Sequence, residues 1–219
     1  MKSTNIRISL FTLALVVIVG GAYVSRPAVT DSIPVKPTIV LVHGAFADGS
    51  AWQEVIPLLQ REGFNVVAVQ NPLKSLAEDV ETTRRVVDAQ NAPVVLVGHS
   101  YGGAVITGAA ASNANVKALV YIAAFAPDVG EPVGAFLRKY PSPLVSSLVP
   151  DEGGFVYIDP AKYREVFAGD LRRRQTRVLA VSQRPIFSTV LAQSPLGAAW
   201  RTIPSWYVVA AEDHALNPD

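Results

Sequence analysis

Residues 38–43 read TIVLVH, an unbroken apolar run rich in β-branched side chains and lacking polar alternation. A strand of that kind is buried on both faces, as in a parallel sheet. The loop GAFADGS follows. Ser50 with Gln53 has the signature of a capping box, for a helix running through Glu62 that Gly63 ends. Residues 64–69 (FNVVAV) form the next strand. Ser75 and Glu78 make a second capping box, and the helix they open carries Val80, Thr83, Val86 and Val87 on one side. Pro93 starts the strand VVLVG, and the segment GGAVITGAAA is a helix of small, apolar residues. Residues 116–125 (VKALVYIAAF) are a further strand.

Strand and helix alternating in this way predict an α/β fold with a doubly wound, mostly parallel sheet and right-handed crossovers. From Pro127 to about Arg201 the rhythm breaks, and prolines and short amphipathic pieces such as 161–167 replace it. This predicts a cap, at about residues 128–200, inserted above the sheet. Residues 206–211 (WYVVAA) resume the sheet, eight residues before the chain ends.

The N-terminus has a different pattern. Lys2 and Arg7 precede an apolar run over residues 8–24, and Gly20, Gly21 and Ala22 follow its most apolar part. A positive region, an apolar stretch and a small-residue exit make residues 1–24 a signal peptide, cut after Ala22, or an uncleaved membrane anchor. Pro27, Pro34 and Pro37 make residues 25–37 an extended linker. The expected destination is the periplasm or the outside of the cell.

Composition adds exclusions. At 219 residues the chain is long enough for one domain with a sizeable core. A formal net charge of +1 gives no reason to expect a nucleic-acid partner. The basic group Arg172, Arg173, Arg174 and Arg177 reads as a solvated helix face. With no cysteine, a thiol nucleophile, a Cys-ligated zinc and a disulfide are excluded. Three scattered histidines without ligand spacing make no metal site, and no phosphate loop or dinucleotide fingerprint occurs, so no cofactor is expected.

Candidate chemistry centres on Gly98-His99-Ser100-Tyr101-Gly102, a G-x-S-x-G pattern between a buried strand and a small-residue helix. That context makes Ser100 the expected nucleophile, on a tight turn that Gly98 and Gly102 permit. An acyl-transfer intermediate needs two N–H donors, one from the loop after His43-Gly44 and one from Tyr101. Asp213, after WYVVAAE, is the expected acid, in preference to Glu212 on the opposite face of the strand. None of the three histidines suits the base. His43 is expected to hold its loop, His99 to pack beneath the turn, and His214 to diverge from the adjacent Asp213.

These segments carry a resemblance. TIVLVHGAFADGSAWQEVIPLL, VVAVQNPL, VVLVGHSYGG and PSWYVVAAEDHALNP together resemble an α/β-hydrolase, of the small esterase and hydroxynitrile-lyase-like branch. The resemblance covers residues 38–219. It implies Ser100 as nucleophile, Asp213 as triad acid, the N–H groups of Ala45 (or Phe46) and Tyr101 as oxyanion hole, and a helical cap that shapes the pocket. In the family a helix, a last strand and a loop bearing the catalytic histidine follow the acid. This sequence ends before them, so a C-terminally truncated chain with impaired activity and an uncovered sheet edge is expected. The implied function is hydrolysis of a small carboxylic ester. The alternatives are a C–C or C–CN lyase on the same triad, and an inactive binding protein.

Overall fold

Five parallel strands form the main sheet: β1 (Thr38–Val42), β2 (Asn65–Ala68), β3 (Val94–Ser100), β4 (Val116–Ala124) and β8 (Ser205–Val208). Their order is β2-β1-β3-β4-β8. This computed structural model describes residues 35–218. The segment read as a signal or anchor, and residues 25–34 of the linker, lie outside the described residues.

Helices α1 (Ile56–Arg61), α2 (Leu76–Asp88) and α3 (Tyr101–Ala109) connect the first four strands. The side chains of β1 alternate between two cores, as a strand covered on both faces must. Ile39 and Leu41 pack with Trp52 and Val97 toward the α1 side. Val40 and Val42 join Leu96, Leu119, Tyr121 and the residues of α3 on the other. All nine residues of α3 are buried, which explains its small, apolar composition.

Local signals held at α2 and slipped at α1. Ser75 caps α2, its hydroxyl accepting from the Glu78 N–H at 3.1 Å. The single helix expected from Ser50 to Glu62 is instead a 3-10 turn over Gly49–Trp52, followed by α1. Asp48, not Ser50, is the cap residue of that turn, accepting from the Ser50 N–H at 2.7 Å. Pro57 sits in the first turn of α1, where its missing N–H costs no helical bond, so the helix starts there.

Between β4 and β8 the insertion carries α4 (Ala135–Lys139), α5 (Tyr163–Phe167) and α6 (Arg173–Ser182). It also carries an antiparallel sheet that periodicity did not announce. Strands β5 (Leu148–Pro150), β6 (Phe155–Ile158) and β7 (Ile186–Phe187) pair in the order β5-β6-β7. The Phe187 N–H docks β7 on Leu73 O at 2.9 Å. The arginines at 172–174 and 177 are exposed, as a solvated face requires. Strand β8 is shorter than the WYVVAA run, and Trp206, Tyr207, Val208 and Val209 are each at least 50% exposed.

Candidate active site

Strand β3 turns into α3 at Ser100, which has φ 52°. A non-glycine residue at positive φ stores backbone strain of roughly 1–3 kcal/mol and persists only where its surroundings impose it. Ser100 occupies the cap position of α3, yet its hydroxyl makes no capping hydrogen bond. Simple helix capping therefore does not account for this serine.

Close packing imposes the turn. A Cβ on Gly98 would lie 2.6 Å from the Gly102 carbonyl oxygen, and one on Gly102 would lie 2.4 Å from the Val42 carbonyl oxygen. The loop after β1 presses on the same point, since a Cβ on Gly44 would meet Ser100 Cβ at 2.8 Å and Oγ at 3.3 Å. In that loop Phe46 has φ 62°, and Ala45 and Phe46 are both buried. The Tyr101 N–H is the first of α3 and has no acceptor within the helix.

The three histidines have separate duties. His43 is fully buried. Its Nε2 accepts from the Asn71 N–H at 3.1 Å, so Nδ1 is the protonated nitrogen and donates to the Gly44 carbonyl at 2.8 Å. Burial lowers the His43 pKa, against the opposing bond to Gly44. The His99 ring packs edge-on against Trp52, centroids 6.4 Å apart. Burial lowers its pKa too, and the Asp213 charge opposes this. His214 is exposed, and its Nδ1 pairs with the Glu165 carbonyl of the cap at 3.0 Å.

Asp213 and Glu212 lie beyond the end of β8, in a turn and not on the strand. Asp213 is partly buried and Glu212 is exposed. Asp213 Oδ1 accepts from the N–H groups of Ala215 at 2.7 Å and Leu216 at 3.1 Å. It lines a cavity of about 300 Å³ with Phe125, Phe136, Tyr140 and Tyr207. The Phe125 N–H donates to the Ser100 carbonyl at 3.1 Å, but Ser100 itself is not among the residues that line this cavity. Among the aromatic residues of the cap, Phe136 and Tyr140 line it. Tyr163 is buried against Phe167, and Phe155 stacks edge-on with Phe187.

One residue near the turn escaped the sequence reading. Asp79, on α2, is fully buried. It accepts from the Tyr101 hydroxyl at 2.7 Å and the Leu73 N–H at 2.9 Å. Its signal was positional, since it lies three residues after Leu76 and four before Thr83, on the buried stripe of the helix.

The fold has counterparts in known proteins. The alpha/beta hydrolase family model matches residues 39–219. The chain belongs to that family. This hydrolase is 28% identical over 202 residues to an alpha/beta hydrolase of Aspergillus novofumigatus, covering 83% of this chain and 80% of the relative. It is 33% identical over 121 residues to a carbendazim-hydrolyzing esterase of Nocardioides, about half of each chain (49% and 50%). A similar stretch of 119 residues is 32% identical to an alpha-hydroxynitrile lyase of Arabidopsis thaliana, covering 48% and 46% of the two. Among solved structures, a pyrethroid hydrolase from Sphingobium faniae superposes with a TM-score of 0.66 at 24% identity, covering 84% of this hydrolase and 81% of that chain. The last comparison speaks to the fold alone.

Proposed function

We propose that this hydrolase carries the acyl-transfer site of an esterase for small carboxylic esters, with Ser100 as nucleophile. The observation that carries the reading is Ser100 itself, strained at φ 52° on the strand-to-helix turn, with its hydroxyl unused as a cap. In this reading Ser100 Oγ attacks the ester carbon. The carbonyl electrons move onto oxygen, and the N–H groups of Ala45 and Tyr101 hold that oxyanion. Collapse breaks the bond to the alcohol, which leaves with the proton that Ser100 Oγ gave up. Water then repeats the attack on the acyl-serine and releases the acid. Asp213 is assigned the role of orienting the proton carrier. Similarity to esterases supports the reaction class.

The proton carrier is not His43, His99 or His214. His43 has both ring nitrogens engaged, His99 lies against Trp52, and His214 is tied to the cap. Turnover by these 219 residues is therefore expected to be deeply impaired, on the order of 10⁶-fold when one member of a triad is missing. Export, read from the pattern of residues 1–24, belongs to the same proposal.

Incubation with a fluorophosphonate, followed by mass spectrometry, tests the nucleophile. Slow labelling at Ser100 in the native chain, absent in Ser100→Ala, is the expected result. A native chain that never labels would overturn it. Turnover of a p-nitrophenyl ester at ordinary enzyme rates would overturn the impairment. Release of an aldehyde or ketone from a cyanohydrin, with no acid from esters, would move the site to the lyase class.

A further inference from the structure

Asp79 is a carboxylate placed where burial penalises it, one helix away from the proposed nucleophile. A buried charged group is costly unless it is hydrogen-bonded. Asp79 has two such bonds, from the Tyr101 hydroxyl at 2.7 Å and the Leu73 N–H at 2.9 Å. One donor belongs to the residue after Ser100 and the other to the loop after β2. Tyr101 is the residue immediately after Ser100, it is 1% exposed, and its N–H opens α3. Leu73 is held at φ 60°, and its carbonyl takes the Phe187 N–H from the cap at 2.9 Å.

The same helix and loop also hold the other side of the turn. Thr83 on α2 donates to Asn71 Oδ1 at 3.3 Å. The Asn71 N–H donates to His43 Nε2, and His43 Nδ1 donates to the Gly44 carbonyl. Helix α2 and residues 71–73 therefore brace both segments that would supply N–H groups to an oxyanion. The Asp79 arm anchors Tyr101, and the Thr83–Asn71–His43 arm anchors the loop of Gly44 and Ala45.

We propose that Asp79 is a positioning residue of the oxyanion hole, holding the Tyr101 N–H on target through the Tyr101 hydroxyl. This rests on the reading of Ser100 as nucleophile. The Tyr101 side chain is gripped at its far end, so its rotamer and the first turn of α3 are fixed together. Ionised Asp79 accepts from the hydroxyl. Protonated Asp79 can instead donate to it, and the grip changes. Burial raises the Asp79 pKa to about 6; the Tyr101 and Leu73 bonds oppose this, Glu78 adds to it, and Arg184 lowers it. The grip is therefore expected to change in a pH range where the chain can be assayed.

The experiment is fluorophosphonate labelling of the full chain, with the maximal rate and the reversible affinity measured separately. In the reaction the Ser100 Oγ–P bond forms and the P–F bond breaks. Fluoride leaves, the Oγ proton passes to solvent, and the P=O oxygen occupies the oxyanion hole. Tyr101→Phe and Asp79→Asn are each expected to lower the maximal rate about tenfold at pH 8 with unchanged affinity, since misplacing one donor costs less than removing it. For Asp79→Asn the deficit should vanish below pH 5, with a midpoint about 6, because protonated Asp79 resembles Asn. Tyr101→Phe has no grip to lose, so its rate should stay low at all pH values and its deficit against the native chain should close below pH 5 in the same way. Equal maximal rates in the native chain and both variants would overturn the proposal, as would losses in rate and affinity that track a fall in melting temperature. If Ser100 labels in the native chain but the variants match it, the nucleophile reading stands and the positioning role falls. If the native chain does not label, both fall.

Discussion

Gly102 sits where α3 passes closest to the end of β1, with a Cβ position 2.4 Å from the Val42 carbonyl oxygen. Backbone cannot yield as a flexible side-chain tip can, so Gly102→Ala is expected to destabilise by roughly 1–3 kcal/mol or more. Urea denaturation measures this directly. Asp79 makes a different prediction. Burial raises its carboxyl from 3.8 to about 6, so the folded chain holds this proton more tightly than the unfolded chain does. The stability so gained is complete below pH 3.8 and lost as pH rises through 6. Asp79→Asn cannot ionise, so its advantage over the native chain should grow by about 2 kcal/mol between pH 4 and pH 7. Paired urea titrations across that range test it, and a constant difference would refute it. The two residues differ in legibility. The position of Ser100 and the need for Gly98 and Gly102 could be read from spacing, because a tight turn between strand and helix depends on local geometry. Asp79 could be placed on the buried stripe with Leu76 and Thr83 but not given a partner, because nothing local says that its carboxylate will meet the Tyr101 hydroxyl.

Strand β8 pairs with β4 on one side, from Leu119↔Ser205 to Ile122↔Val208. It has no partner on the other side among the described residues. All four of its residues are exposed, so an apolar edge is presented together with unpaired backbone groups. Such an edge templates association. The described chain is expected to self-associate at high concentration, and Val208→Lys should reduce light scattering without altering the β1–β3 core. Amide hydrogen exchange should grade the sheet in the same sense. The central strands β1 and β3 are expected to exchange most slowly and β8 fastest. Equal protection of β8 and β3 would contradict this. At this scale the runs that became β1 to β4 were legible, because continuous β-branched sequence admits few alternatives. The 3-10 turn at Gly49–Trp52 was not, because the competing caps Asp48 and Ser50 differ only in tertiary placement.

Across the molecule, the cap and the tail beyond β8 hold one another. His214 Nδ1 meets the Glu165 carbonyl, Ser142 donates to the Ala215 carbonyl at 2.7 Å, and the Leu144 N–H donates to the His214 carbonyl at 3.3 Å. His214→Ala is therefore expected to loosen the cap, seen as faster exchange at residues 163–167, while leaving the labelling rate of Ser100 unchanged. A large loss of labelling in that variant would return His214 to the chemistry. The order of strands and helices, the strained serine turn and the family all follow from sequence alone. The first two rest on apolar period and short-range spacing, which the chain encodes within a few residues, and the family rests on the resemblance of segments spread over residues 38–219. Only the tertiary structure decided that the insertion builds its own antiparallel sheet, that Asp213 lies in a turn beyond β8, and that Asp79 reaches beneath the Ser100 turn. Those facts depend on which distant segments meet, and neighbouring residues carry no record of that.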